Sequence, residues 1–266
     1  MKIRKFKDIN VKNIFSLIKE KMDYNIWFWS YLKALFILSN TYSPTDDYTK
    51  SAMKCFITSM SDIFPDKYLG ESMRDFILMK PHVQSLVLNN VNFEQFFNTY
   101  SDYKNIIKNY PDKLLNLCLE SSETLFSYIY LLNIYFIILF NKSGYLLNIP
   151  TFNEIRVLYN PSNIRKEDWG NPLWFIIHMT PLYAPGTTIE VFNNLKALLS
   201  CLRFILPCPK CRLHLTDNLP RINIDNCAMT RDSIFECTWR LHNIVNKDLQ
   251  KYEPTLREAF GYYIFN

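Results

Sequence analysis

Ile234-Phe235-Glu236-Cys237-Thr238-Trp239-Arg240-Leu241-His242-Asn243-Ile244-Val245-Asn246-Lys247-Asp248-Leu249 is the stretch that decides the fold class. Its apolar side chains return every three or four positions, at Ile234, Cys237, Leu241, Val245 and Leu249, which is the period of a helix and not of a strand. Two of its polar residues, His242 and Asn246, stand four apart and therefore share one helix face. Outward from this run the same period recurs over residues 191–205, 27–38 and 14–18. Clusters of Pro with Asn, Asp or Ser interrupt it at 43–47, 110–112, 160–161 and 180–188, where turns are expected. Only five glycines occur, at 70, 144, 170, 186 and 261, too few and too scattered for a Gly-rich phosphate loop. The reading is all-α. A boundary within 141–162 divides the chain into an N-terminal helical domain, 1–150, and a C-terminal domain, 151–266. The segment Thr187-Thr188-Ile189-Glu190 can cap the helix that follows it.

Composition narrows the classes. With 266 residues, 48% of them apolar, the chain can build one large core or two smaller ones. There are 30 basic and 25 acidic residues, a net +5, and no long block of one sign. A nucleic-acid binder would concentrate its basic residues in a stripe, so no nucleic acid is expected as a partner. Residues 125–140 are the most apolar stretch, but Ser127 and Asn133 interrupt it and it falls short of the roughly 20 residues a spanning helix needs. It reads as a buried core helix, and no stable membrane insertion is expected. Behind the basic N-terminus the apolar run 14–18 is too short for a secretory signal.

Seven cysteines occur, and five of them (Cys201, Cys208, Cys211, Cys227 and Cys237) lie within 37 positions. An odd count without a leader argues against a secreted disulfide scaffold and toward redox chemistry or metal. Cys208-Pro209-Lys210-Cys211 is the sharpest signal. At a helix start, both the helix dipole and Lys210 favour the thiolate. Taken alone, a C-x-x-C is as often half of a zinc site. The zinc alternative here is a helical interaction module using Cys208, Cys211, His214 and Cys227, although that spacing fits no finger or knuckle. Trp174 and His178 share a helix face and, by themselves, would read as core. His242-Asn243-Ile244-Val245-Asn246 would read as a solvated polar face.

In this order and spacing, Trp169-Gly170-Asn171-Pro172-Leu173-Trp174, His178, Cys208-Pro209-Lys210-Cys211 and His242-Asn243-Ile244-Val245-Asn246 resemble the Erv/ALR family of FAD-dependent sulfhydryl oxidases. The resemblance covers residues 163–252. Pro207 and Arg212-x-His214 are similar to the large-DNA-virus, baculovirus-like branch of that family. It implies a C-terminal bundle of four or five helices that binds FAD and oxidises thiols. Cys208 would exchange with protein dithiols, and Cys211 would lie against the flavin. Electrons would pass to molecular oxygen, giving hydrogen peroxide. Gly170, Trp174, His178, Tyr183, His242, Asn243, Val245, Asn246, Lys247 and Lys251 match the family's cofactor-binding positions. No metal is implied. The viral likeness implies work in the host cytoplasm or nucleus, in association with virions. Because Erv/ALR domains pair, a homodimer stays open.

The departures are specific. Ala184 separates Tyr183 from Pro185, and Gln250 stands where the family has glycine, which leaves the path of that loop open. Trp239 and Leu256 stand where the family commonly has a disulfide, so packing must replace it. Cys227 and Cys237 are left over, to pair, to serve as an auxiliary dithiol, or to be buried. Cys201 reads as a core thiol near the active pair, and Cys55 and Cys118 as core residues. A faint internal repeat sets Trp29, Tyr42-Ser43-Pro44 and Pro65-Asp66-Lys67-Tyr68-Leu69 against Trp174, Tyr183-Ala184-Pro185 and Pro207-Cys208-Pro209-Lys210-Cys211. Similarly, Leu132-Asn133-Ile134 echoes His242-Asn243-Ile244. Two apolar helical halves can match this well by chance. Read as a true repeat, the N-terminal domain is a non-catalytic copy with Asp66 and Leu69 in place of the cysteines.

Overall fold

The computed structural model describes residues 24–91, 103–145 and 147–265; the basic N-terminus and the apolar run 14–18 lie outside them. Among the described residues there are thirteen α-helices and no strand. The N-terminal half contains α1 (Tyr24–Thr41), α2 (Asp47–Asp62), α3 (Lys67–Ile77), α4 (Pro81–Asn90), α5 (Tyr103–Asn109), α6 (Leu114–Cys118), α7 (Ser122–Lys142) and α8 (Phe152–Leu158). The C-terminal half contains α9 (Lys166–Tyr183), α10 (Thr188–Ile205), α11 (Pro209–Asn218), α12 (Arg231–Asp248) and α13 (Leu256–Phe265). The expected all-α architecture holds.

Local chemistry sets the helix starts. Asp46, Asp66 and Ser121 each accept from the backbone N–H three residues on, capping α2, α3 and α7. At Thr187 the box is complete: its hydroxyl accepts from Glu190 N, and the Glu190 carboxylate accepts from Thr187 N at 2.6 Å. The break expected over 180–188 falls where α9 ends at Tyr183 and α10 begins at Thr188, with Pro181 itself inside the last turn of α9. Arg231, at the start of α12, donates from one guanidinium nitrogen to Pro181 O (3.2 Å) and Ala184 O (2.9 Å) and from another to Gly186 O (2.6 Å), satisfying the carbonyls that the end of α9 exposes.

One apolar core runs through both halves. The most extensive packing between any two helices joins α2 to α10, and α1 packs on both α7 and α9. Trp27 of α1 meets the rings of Phe175 and Tyr183 of α9 edge-on, at 5.3 and 5.0 Å. Helix α7 is long and apolar enough to cross a membrane, and 83% of its most apolar window is buried among its neighbours. The segment after residue 150 packs backward: Phe152 contacts Phe126 and Tyr130, and Tyr159 stacks on Phe36 at 4.9 Å while its carbonyl accepts from Asn40. The segment 152–159 thus packs on the N-terminal helices α1 and α7.

Candidate active site

Helices α9 and α12 bring together residues some sixty positions apart. Trp174 and His178 face across to His242, with the Trp174 and His242 rings stacked at 4.0 Å and 6°. His178 is buried and makes two hydrogen bonds, Nε2 to His242 Nδ1 (2.9 Å) and Nδ1 to Thr238 Oγ1 (2.9 Å). The protons along this chain can be placed. Thr238 donates its hydroxyl hydrogen to Phe235 O at 2.7 Å, so toward His178 it accepts. His178 therefore carries its hydrogen on Nδ1, and its bare Nε2 accepts from His242 Nδ1–H. His242 Nε2 is left as an acceptor. Both rings are neutral. Burial pushes the His178 pKa well below the usual value, with the neighbouring His242 adding to it. Burial and the Lys251 charge lower His242 to about 4.

The rest of the H-N-x-V-N element is also accounted for. Asn246 is buried, Val245 is half-buried and Lys247 is exposed. Asn243 donates from Nδ2 to Pro254 O at 2.9 Å, while its buried Oδ1 has no hydrogen-bond partner. After α12 the backbone turns at Gln250, whose φ of 53° lies in the left-handed region. Gln250 N donates to Lys247 O and Lys251 N to Asn246 O, which together form the glycine-favouring helix stop known as the Schellman motif. The loop thus takes the path a glycine would give it, and it sets Lys251 near His242. Trp239 does the work of the missing disulfide by donating its indole N–H to Pro254 O at 2.7 Å.

Cys208 and Cys211 form a disulfide with their Cα atoms 5.1 Å apart. Cys208 is the N-cap of α11, and its sulfur accepts from Cys211 N at 3.2 Å. Cys211 packs against the apolar core while Lys210 stays exposed. Arg212 donates to Leu206 O at 3.3 Å and ties the start of α11 to the end of α10. A second disulfide joins Cys227 to Cys237, both buried, and settles the leftover cysteines as a staple between the turn before α12 and α12 itself. These pairings undo the zinc alternative: Cys227 is bound to Cys237, and among the described residues no three metal-ligating side chains gather.

Two matched positions are placed differently from the stack. Tyr183 turns its ring to Trp27 and donates to Tyr263 O at 3.3 Å, and the Tyr263 ring lies 4.7 Å from His178. Gly170, one turn before Trp174, has open space beside it; a methyl group there would meet no atom within 4 Å. Sequence reasoning missed Thr238 and Tyr263. Thr238 stands four before His242, so helical spacing alone could have found it, whereas nothing in the pattern points to Tyr263.

Comparison with known proteins gives the same outline. Residues 171–261 match the family model described as the Erv1/Alr family. This segment is an Erv1/Alr domain. Over 95 residues the chain is 30% identical to a protein of Acanthamoeba polyphaga mimivirus that is by name an FAD-linked sulfhydryl oxidase, covering 35% of this chain and 66% of the relative. It is 25% identical over 96 residues to an Invertebrate iridescent virus 3 protein of like name, covering 36% of this chain and 65% of the relative. The chain thus spans slightly less than two thirds of either relative. No solved structure gives a significant match.

Proposed function

We propose that this chain is an FAD-linked thiol oxidase that makes disulfides in protein dithiols. The observation that carries the reading is a C-x-x-C disulfide capping a helix, in the same bundle as an aromatic–imidazole stack whose neighbour Asn243 holds an unpaired buried acceptor. The residues present fit a flavin dinucleotide. Trp174 and His242 offer flat, half-buried faces, Asn243 Oδ1 and His242 Nε2 offer acceptors, Gly170 leaves room, and Lys247 and Lys251 bring positive charge suited to a pyrophosphate. Bound there, FAD would take two electrons from a dithiol and hand them to molecular oxygen, giving hydrogen peroxide.

The protein's own part is thiol–disulfide exchange. A substrate thiolate attacks Cys208, the cysteine not packed into the core, and displaces Cys211 as thiolate. The second substrate thiol then attacks the mixed disulfide. The substrate leaves oxidised, and Cys208 and Cys211 hold the two electrons as thiols. The Cys211 N–H that donates to the Cys208 sulfur stabilises negative charge there, which makes Cys208 a good leaving group in that second step.

The same reading takes the N-terminal half as a non-catalytic copy. Its support is that Asp66 caps α3 through Leu69 N just as Cys208 caps α11 through Cys211 N. In addition, the helices that pair across the halves, α1 with α9 and α2 with α10, are equivalents in the repeat. Through the viral likeness of residues 207–214, the same reading takes virion proteins as substrates and the host cytoplasm or nucleus as the place of work. Purified protein is expected to be yellow with a flavin absorption band and to consume oxygen with dithiothreitol. Cys208→Ser and Cys211→Ser should each lower that oxygen consumption at least about a hundredfold while keeping the flavin. A colourless protein, or a single variant with normal turnover, removes the assignment.

A further inference from the structure

Thr238 lies one turn before His242 on α12, and its hydroxyl closes the inner end of the histidine chain. That hydroxyl donates to Phe235 O at 2.7 Å and faces His178 Nδ1 at 2.9 Å. A hydroxyl has one hydrogen, so with it spent on a backbone carbonyl only a lone pair is left for His178. Each ring then passes the direction on. His178 donates from Nδ1 and accepts at Nε2 from His242 Nδ1–H across 2.9 Å, which leaves His242 Nε2 bare. Thr238 and His178 are 2% and 1% exposed, so water does not stand in for either. The ring planes are held too: Trp174 stacks on His242 at 4.0 Å and 6°, and Tyr263 lies 4.7 Å from His178. His242 is half-buried, so the nitrogen that ends the chain belongs to its most accessible member.

We propose that Thr238 is a positioning residue that fixes the direction of this chain, so that His242 Nε2 accepts and the site selects a ligand that donates an N–H or O–H there. The identity of that ligand as FAD rests on the flavin reading; the direction of the chain is a property of the protein alone. Without the hydroxyl, the hydrogen on His178 Nδ1 is buried with no acceptor, which is costly. Carried on Nε2 instead, it donates to His242 Nδ1, and His242 must then bear its own hydrogen on Nε2. The protons balance, since each ring keeps one hydrogen and only exchanges the nitrogen that holds it. The outer nitrogen changes from acceptor to donor, and a donor group of the dinucleotide would meet a second donor. A methyl in place of the Thr238 hydroxyl, one ring behind the ligand, thus reverses the contact while charge and shape stay the same.

The test takes the full-length protein, labelled with 15N-histidine and freed of flavin. It has four histidines, His82, His178, His214 and His242, and proton–nitrogen correlation spectra tell which nitrogen of each ring bears the hydrogen. The expected result is Nδ1–H on His178 and His242 in the unaltered protein and in Thr238→Ser. Thr238→Val, which keeps the branched shape, should show Nε2–H on His242. FAD titrated back should bind Thr238→Val about tenfold more weakly, and Thr238→Ser as the unaltered protein does. Nε2–H on His242 in the unaltered protein would overturn the proposal, as would an unchanged tautomer in Thr238→Val or a reversed tautomer with undiminished FAD affinity. An unaltered protein that binds no FAD would end the flavin reading, while the tautomers still decide the role of Thr238. Where Thr238→Val fails to fold, the tautomers of the unaltered protein decide.

Discussion

His178 and His242 show how a site can be built from groups whose charge is suppressed. Each ring is neutral because burial makes the protonated form costly, and Lys251 adds to that for His242. The sign of the pH effect follows. Both pKa values are lower in the folded chain than in the unfolded one, so between about 6.5 and 4 the unfolded state binds more protons. The stability due to these neutral rings is complete above about pH 6.5 and is lost as pH falls toward 4. Carboxylates whose pKa the fold lowers, such as Asp168 with its bonds from Arg165, lose theirs only at still lower pH. Thermal melts should therefore show Tm falling between pH 6.5 and 4.5, and His242→Gln should flatten that slope. An unchanged slope in the variant would mean that His242 is not held neutral. Gln250 gives a second expectation at this scale. A left-handed backbone costs a side-chain-bearing residue about 1–2 kcal/mol, and glycine returns part of this as chain entropy. Gln250→Gly should stabilise by about 0.5–1 kcal/mol in denaturant unfolding, and a loss of stability would contradict the helix-stop geometry.

Helices α7 and α12 carry the same residue in two roles. Asn133 and Asn243 each bury a side-chain oxygen without a hydrogen-bond partner. Asn133 sits in an almost wholly apolar helix and is 1% exposed, so its unpaired acceptor is a cost with no evident return. Asn133→Leu should leave stability unchanged or raise it by about 1 kcal/mol, read from urea unfolding. Asn243→Leu, made beside the stack, should instead cut the flavin content of the purified protein several-fold. Equal behaviour of the two would dissolve the distinction. These helices also mark what the sequence could disclose. Helical period and cap residues showed the element types, and i, i+4 spacing put Trp174 with His178 and His242 with Asn246. Which helices then meet is a matter of packing. No local pattern turns residues 152–159 back onto Phe126 and Phe36, or lays Tyr263 against His178. The break over 180–188 was legible, but not that Arg231, some fifty positions on, would take up the carbonyls exposed at the end of α9.

At the scale of the whole molecule, the Erv1/Alr domain does not own its core. Val191, Leu195, Leu198 and Leu202 of α10 are buried in the one core that also takes in Met53, Phe56, Ile57 and Met60 of α2. The Lys33–Asp168 ion pair at 3.5 Å is partly exposed and adds little, so the attachment is chiefly apolar. Exposing such a face to water costs about 25 cal/mol per Å² of apolar area, and an exposed patch of that kind drives association. A tethered partner covers it at high effective concentration and needs only packing residues to do so. On the pseudo-oxidase reading, this is why Asp66 and Leu69 could replace cysteines without loss of the fold. A fragment beginning near residue 160 should therefore be insoluble or self-associated, and sedimentation should show dimers or larger species. Co-expression with residues 1–159 as a separate chain should restore a soluble one-to-one complex. A soluble, flavin-bound monomer from the fragment alone would show that the N-terminal half covers nothing the domain needs covered, and its function would have to be sought elsewhere.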